Sequence, residues 1–146
     1  MVFVENIEEL TLANTDYRRV IFTSDYSQLV LMSIPVGEQI DLEIHPYIDQ
    51  FFRIEQGQGV LVVGKNGKDG GKDQTYHFED RFAIVVPHNT YHRIINTGSV
   101  PIKLYTIYSP PNHPKDKVEH IKESKKDEKK DEGKIEYIRK LASILL

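Results

Sequence analysis

The chain has 146 residues, a hydrophobic fraction of 39% and a formal net charge of −3, values that are typical of one globular domain with a single core. The mildly acidic balance, without a basic patch lined by aromatic residues, gives no reason to expect nucleic acid as a partner. Because the chain has no cysteine, disulfides, zinc–thiolate sites and thiol nucleophiles are excluded. No apolar run approaches the roughly 20 residues that span a membrane, and the acidic residues near Glu5 do not resemble a signal peptide, so the cytoplasm is the expected location.

The first elements are a short helix and two strands. Residues 4–13 carry a weak helical pattern, with Ile7 and Leu10 three apart, and we expect a short helix at an edge of the fold. The segments Arg18–Thr23 and Gln28–Ile34 are rich in β-branched and aromatic residues and are separated by a polar turn. Both are therefore predicted to be strands.

The strand pattern continues to about residue 108. Apolar runs at 60–63, 76–78, 82–86 and 102–108 alternate with turn signals, the strongest of which is the Asn-Gly and Gly-Gly loop at 65–73. This makes about eight or nine short strands at spacings of roughly ten residues, which favours an antiparallel sandwich or closed barrel. We predict an all-β domain over residues 1–114.

The composition changes beyond residue 114. Residues 122–134 are almost entirely Lys, Glu and Asp, whereas residues 135–146 regain an amphipathic helical stripe. We therefore predict that residues 115–146 form a charged linker and a C-terminal helix. This helix could dock on its own domain, dock on a partner subunit, or belong to a free tail.

Polar side chains interrupt the apolar strands at two places. Glu43 and His45 stand two apart, so on an extended strand their side chains leave the same face. A second strand begins near Gln50, and a hairpin would bring all three side chains to one inner surface. Further along, Pro87 ends an apolar strand and His92 opens the next one.

The first of these stretches resembles the first motif of the cupin superfamily, G-x5-H-x-H-x(3,4)-E-x6-G. Gly37, His45 and Gly57 match this motif. Glu43 stands at the position of the first histidine, and Gln50 stands at the position of the glutamate.

The second stretch resembles the second cupin motif, G-x5-P-x-G-x2-H-x3-N. Pro87, His92 and Asn96 match it, whereas Arg81 and Asn89 stand at the two glycine positions. The resemblance covers roughly residues 15–110. It implies an antiparallel jelly-roll barrel, in agreement with the strand pattern, to which the two predicted terminal helices are added.

The resemblance also implies one divalent metal ion inside the barrel. The residues at the ligand positions are Glu43, His45, Gln50 and His92. Two imidazoles and a carboxylate with open positions suit Zn²⁺, Mn²⁺, Fe²⁺ or Ni²⁺, and the Gln50 amide oxygen would be a weaker ligand or would orient another one. Without a metal, the same residues would form a polar group in an empty pocket.

Strand parity predicts an apolar pocket beside these residues. If Gln50 and His92 face inward, then Phe52, Ile54 and Ile94 do so too. Such a pocket suits a small-molecule organic ligand. We find no inward-facing lysine or arginine that would hold a phosphate.

Three functions follow from the resemblance. The first is a sugar-phosphate isomerase like the small cupins that resemble mannose-6-phosphate isomerase, with the metal polarising the substrate. The second is a dioxygenase of the non-haem-iron type, since two histidines and a carboxylate resemble its metal triad. The third is a small-molecule binding or sensing module, or a structural cupin, without turnover.

The last expectation concerns assembly. The strand Arg18–Thr23 is apolar at its centre and would be a poor solvent-exposed sheet edge, and small cupins are commonly dimers. We therefore expect a homodimer.

Overall fold

Ten strands and one short helix make up the part of the protein that this computed structural model describes, which is residues 1–68 and 70–123. The helix α1 spans Ile7–Ala13. The first five strands are β1 Arg18–Thr23, β2 Gln28–Ile34, β3 Gln39–Glu43, β4 Asp49–Gln56 and β5 Gly59–Val63. The other five are β6 Gln74–Phe78, β7 Ala83–Val86, β8 His92–Asn96, β9 Ile102–Ser109 and β10 Val118–Glu119.

The strands form two antiparallel sheets. The larger sheet has the order β10-β1-β2-β9-β4-β7, and the smaller one has the order β3-β8-β5-β6. Hydrogen bonds do not close the two sheets into a continuous barrel. Their inward faces instead share one core, as in a double-layered jelly roll. The predicted all-β jelly-roll class is confirmed.

The core consists of the alternate side chains that each strand turns inward. On β2 and β9 these include Met32 and Leu104, both fully buried. Phe52, Ile54 and Ile94, which strand parity predicted to face inward, are also fully buried. The alternation therefore fixes which polar residues of the same strands reach the interior.

Helix α1 packs on the outer face of the larger sheet, against β2, β4 and β9. Lys103 points to this face, and its Nζ donates to the carbonyl of Asn14 (2.6 Å) at the end of the helix and to Ser33 Oγ (2.9 Å). The expected position at an edge is wrong, because this buried lysine anchors the helix over the middle of the sheet.

The segment after β9 returns to the beginning of the chain. Strand β10 pairs with β1 through Arg18 and Glu119, so the first half of β1 is covered and β1 is not the outermost strand. Further on, Lys122 Nζ donates to the carbonyl of Gln39 (3.0 Å) on β3. One seam between the two sheets is therefore bridged by the chain itself.

Two sequence predictions concern the region beyond residue 114. Strand β10 lies past this boundary although it belongs to the larger sheet, and the division of the chain at residue 114 stays a prediction. The predicted C-terminal helix lies outside the described residues. Within the described residues, no helix has the length and apolar character needed to cross a membrane.

Candidate metal centre

The pairing of β3 with β8 brings Glu43 and His92 together. The two residues are register partners, and Glu43 Oε1 lies 3.2 Å from His92 Nε2. His45 follows two residues after Glu43, and its Nε2 lies 3.5 Å from the same carboxylate oxygen. The predicted approach of these three side chains is therefore present in the structure.

The three side chains could share one metal ion. Their donor atoms all lie within 4.8 Å of one another. Atoms that bind a common first-row metal at about 2.0–2.2 Å are separated from each other by roughly 3–4 Å. The two measured distances to the Glu43 oxygen lie in this range, and both histidines are buried.

The loop after β7 positions His45, and it contains one of the two glycine substitutions. The backbone N–H of Asn89 donates to the His45 carbonyl (2.8 Å). Asn89 has φ 61° and Arg81 has φ 70°, so both residues keep the left-handed conformation for which the motif uses glycine. Asparagine adopts this conformation readily, whereas arginine does so at a cost. The substitutions therefore preserve the backbone that supports the site.

The Glu43 carboxylate and the neighbouring imidazoles each favour the charged form of the other. Burial by itself raises the pKa of Glu43, but the His45 and His92 imidazoles overcome this effect and hold the pKa well below its usual value. Burial lowers the pKa of His92, but its contact with the Glu43 carboxylate prevails, so the net shift is upward. His92 Nδ1 lies 2.9 Å from the carbonyl of Thr90, which orients the ring so that Nε2 points to Glu43. Glu43 is consequently an anion that can bind a cation.

Gln50, the fourth predicted ligand, lies on the opposite sheet. The predicted hairpin between its strand and the Glu43 strand is therefore wrong, because β3 pairs with β8 whereas β4 pairs with β7 and β9. It is buried, and its Nε2 donates to Thr106 Oγ1 (3.0 Å). Its Oε1 is buried without a hydrogen-bond donor among the described residues, and His45 Nε2 likewise has no hydrogen-bond partner there. An ion held by Glu43, His45 and His92 would satisfy His45 Nε2, and these two imidazoles and one carboxylate are a donor set that fits a divalent cation. Whether Gln50 binds it directly stays a prediction.

A second polar group lies behind the histidines and was not recognised in the sequence. The Tyr108 ring packs edge-on against His45, with centroids 5.7 Å apart, and against His113 at 5.1 Å. The Tyr108 hydroxyl lies 3.2 Å from His113 Nε2. Burial and the nearby Arg18 lower the pKa of His113 well below its usual value, which favours the neutral imidazole. Asn112 Nδ2 lies 3.3 Å from the same Nε2.

Arg18 corrects one expectation about the interior. Its side chain is 5% exposed and contacts the fully buried carboxylate of Glu119 at 2.5 Å. The expectation that no lysine or arginine faces inward is therefore wrong. The only local indication that Arg18 faces inward was the alternation in β1, where Arg18 and Val20 are buried on either side of exposed Arg19. Arg18 is nevertheless paired with an anion and is not directed at the apolar side of the site.

A chamber of about 480 Å³ lies on the other side of the cluster, between β5, β6 and β7. It is within the usual range of roughly 300–1,000 Å³ for small-molecule sites. Its wall includes Val63, the cross-strand partner of His92, and Val86, the partner of Gln50. The candidate ligands themselves are not in the wall. Cross-strand partners have Cβ atoms about 4.5–5.5 Å apart, so the inner end of the chamber lies one residue away from His92 and Gln50.

Comparison with known proteins identifies the family. The model of the cupin domain matches residues 30–108, a range that contains Glu43, His45, Gln50 and His92. The chain therefore belongs to the cupin superfamily, as the two motifs predicted.

The most similar proteins include two curated relatives and one solved structure. The chain is 51% identical over 112 residues to "Uncharacterized protein YrkC" of Bacillus subtilis (strain 168), an alignment that covers 77% of this chain and 59% of the relative. It is 48% identical over 114 residues to "Uncharacterized protein L612" of Acanthamoeba polyphaga mimivirus, covering 77% and 68% of the two chains. The crystal structure of BH2720 from Bacillus halodurans has 44% identity and a TM-score of 0.77, and the match covers 82% of this chain and 89% of that one. The chain thus spans less than two thirds of the YrkC length.

Proposed function

We propose that this protein is a metal-binding cupin that holds one divalent ion with Glu43, His45 and His92 and a small organic ligand in the adjoining chamber. The observation that carries the proposal is the convergence of one buried carboxylate and two buried imidazoles within 4.8 Å. Gln50 is the fourth member of the proposed set, either as a ligand through Oε1 or as a group that orients one. The bound ion would supply Lewis acidity and open coordination positions.

The chain's own residues define what surrounds those positions. Thr106 fixes the Gln50 amide, and the Thr90 carbonyl fixes the His92 ring. Such outer contacts raise metal affinity because they orient the donors before the ion binds. The Tyr108 ring, whose hydroxyl contacts His113, packs edge-on against His45 and supports the position of that imidazole.

Within this proposal, a dioxygenase of the non-haem-iron type is supported better than an isomerase of the mannose-6-phosphate type. Two histidines and one carboxylate are the ligand set of non-haem iron oxygenases. A sugar phosphate, by contrast, needs many polar contacts and a cation, and the chamber wall among the described residues carries neither lysine nor arginine. Arg18, which does face inward, is already paired with Glu119.

Elemental analysis of protein purified without an affinity tag tests the proposal. We expect about one divalent ion per chain in the parent protein, and its loss in a His45→Ala, His92→Ala double variant. A His88→Ala, His120→Ala double variant is the matched control, because both side chains are more than half exposed. Circular dichroism should show that the β structure persists in both. Equal metal content in the site variant and the parent would refute the proposed site, and iron as the bound metal would favour the oxygenase.

A further inference from the structure

The two seams between the sheets differ. At one seam, the segment after β10 crosses from the larger sheet to β3, where Lys122 Nζ contacts Asp41 Oδ1 at 2.8 Å and the carbonyl of Gln39 at 3.0 Å. At the other seam, β6 and β7 are the last strands of their respective sheets, and the chamber lies between them. The interior is therefore reached from the β6–β7 side.

Aromatic and aliphatic side chains line this opening. Tyr76 is 51% exposed and Phe82 is 44% exposed, although both belong to the chamber wall. Deeper in the chamber, Leu61, Phe78 and Ile84 are buried. Among the described residues no lysine, arginine, aspartate or glutamate lines the wall. Its polar members are His77, which is exposed, and Thr90. A ligand body that fits the rest of this surface is apolar, and the two half-exposed rings favour a planar one.

The inner end of the chamber has a different character. There Val63 and Val86 adjoin His92 and Gln50 across their strands, and Thr90 belongs to both the wall and the support of His92. Glu43 carries one negative charge, so a divalent ion bound to it leaves a net charge of +1. An unbalanced charge in a buried site is costly, and an anionic oxygen donor on the ligand would offset it.

We infer that the chamber binds a small organic acid with an apolar, planar body, whose body enters between β6 and β7 and whose acid group lies at the Glu43–His45–His92 cluster. Only the placement of the acid group rests on the proposed metal site. The apolar wall, the volume and the open seam are independent of it.

Binding of three probe acids, benzoate, phenylacetate and trans-cinnamate, tests the inference in metal-loaded protein. Ligand-observed NMR detects weak complexes, and calorimetry gives their affinities. We expect at least one acid to bind. The affinity of its neutral alcohol analogue should be lower by a factor of about ten or more. Mannose 6-phosphate should bind more weakly than the acid. Absence of binding by all three acids, or tighter binding of the sugar phosphate, would overturn the inference.

The position of the ligand is tested with a pair of alanine variants. Tyr76 lines the chamber on the strand face that also carries buried Phe78, so Tyr76→Ala should remove one of the two rings and reduce acid affinity by about tenfold. Tyr26 is 83% exposed in the turn between β1 and β2, so Tyr26→Ala is the matched control and should bind like the parent. Equal affinities in the two variants would overturn the proposed entry.

Removal of the metal separates this inference from the proposed function. Acid binding that is weakened in chelator-treated protein supports the acid end at the metal cluster, whereas identical binding with and without metal overturns that placement. Protein that contains no metal in the elemental analysis, but still binds the acids in a way that Tyr76→Ala weakens, would refute the metal site and support the apolar chamber.

Discussion

The amide of Gln50 donates to the hydroxyl of Thr106 across the β4–β9 pair, with 3.0 Å between Nε2 and Oγ1. Since the donor end of the amide is used in this bond, Oε1 is the end that is left as a buried acceptor. This relationship decides what a substitution at Gln50 should do. If Gln50 binds the ion, it therefore does so through this oxygen and not through the nitrogen.

The first prediction is that Gln50→Glu tightens divalent metal binding by about tenfold or more. The substitution places a second anion near the ion in a partly desolvated interior, where charges interact more strongly than in water. Calorimetric titration of metal-free protein measures the affinity. Gln39→Glu adds the same charge on β3 away from the cluster and should leave the affinity almost unchanged. Weaker binding in Gln50→Glu would show that the amide supports Glu43 or another ligand and does not contact the ion.

The second prediction concerns the buried ion pair between Arg18 and Glu119. Glu119→Gln removes the charge that compensates a fully buried guanidinium, and such a loss costs about 3–5 kcal/mol of unfolding free energy. Urea denaturation measures the difference. Arg19→Met is the control, because Arg19 is the next residue of β1 and forms an ion pair with Asp16 while being 51% exposed. That change should cost less than about 1 kcal/mol. Similar losses in the two variants would contradict a buried role for Arg18.

The third prediction is a pH dependence of the metal-free protein. The pKa of His92 is raised above 6.5 in the folded state, so its stabilising contribution is fully present below pH 6.5 and is lost as the pH rises through the raised value. The pKa of Glu43 is lowered below 4.5, so its contribution is present above pH 4.5 and is lost only as the pH falls through the lowered value. The contribution of this pair to Tm should therefore be greatest between these two limits.

Calorimetric scans of chelator-treated protein between about pH 5 and pH 9 test this dependence. The parent should lose stability on the alkaline side relative to a His92→Gln variant, which has no group to titrate there. A parent and variant whose Tm values run parallel across the range would disprove the coupling between His92 and Glu43.

The fourth prediction is that the protein is a homodimer. β10 pairs only with Arg18 and Arg19 of β1, and the outer edge of β6 has no strand beside it among the described residues. Soluble proteins cover or pair such edges. Light scattering should give twice the chain mass of 16.9 kDa, and a mass of one chain would contradict the prediction. A deletion of residues 124–146 then locates the interface, since a persisting dimer assigns it to the described domain and a monomer assigns it to the deleted segment.

Local patterns predicted the regular strands well. The bounds of β1 and β2 agree with the predicted segments at both ends, because β-branched residues alternate there and turn residues flank them. Motif spacing also predicted that Glu43, His45 and His92 converge. Residues two apart on a strand share a face, and the second motif supplies β8, the strand that pairs with β3.

Long-range pairings could not be predicted in the same way. Strand β10 has two residues, Val118 and Glu119, in a stretch without strand periodicity, and it exists only because β1 offers a partner. The same reason concealed the burial of Arg18. Burial of Arg18 depends on Glu119, which lies 101 residues away, and no local pattern in β1 records this partner.

The contact between β1 and β10 also has a consequence for synthesis on the ribosome. The counterion of Arg18 is translated 101 residues after it, an interval of about 5–20 s at ordinary elongation rates. Until Glu119 emerges, the guanidinium lacks the anion with which it is buried, and the outer side of β1 is unpaired. A nascent chain halted before this point would expose a template for aggregation. The larger sheet is therefore completed only after every residue of the proposed metal centre has been made.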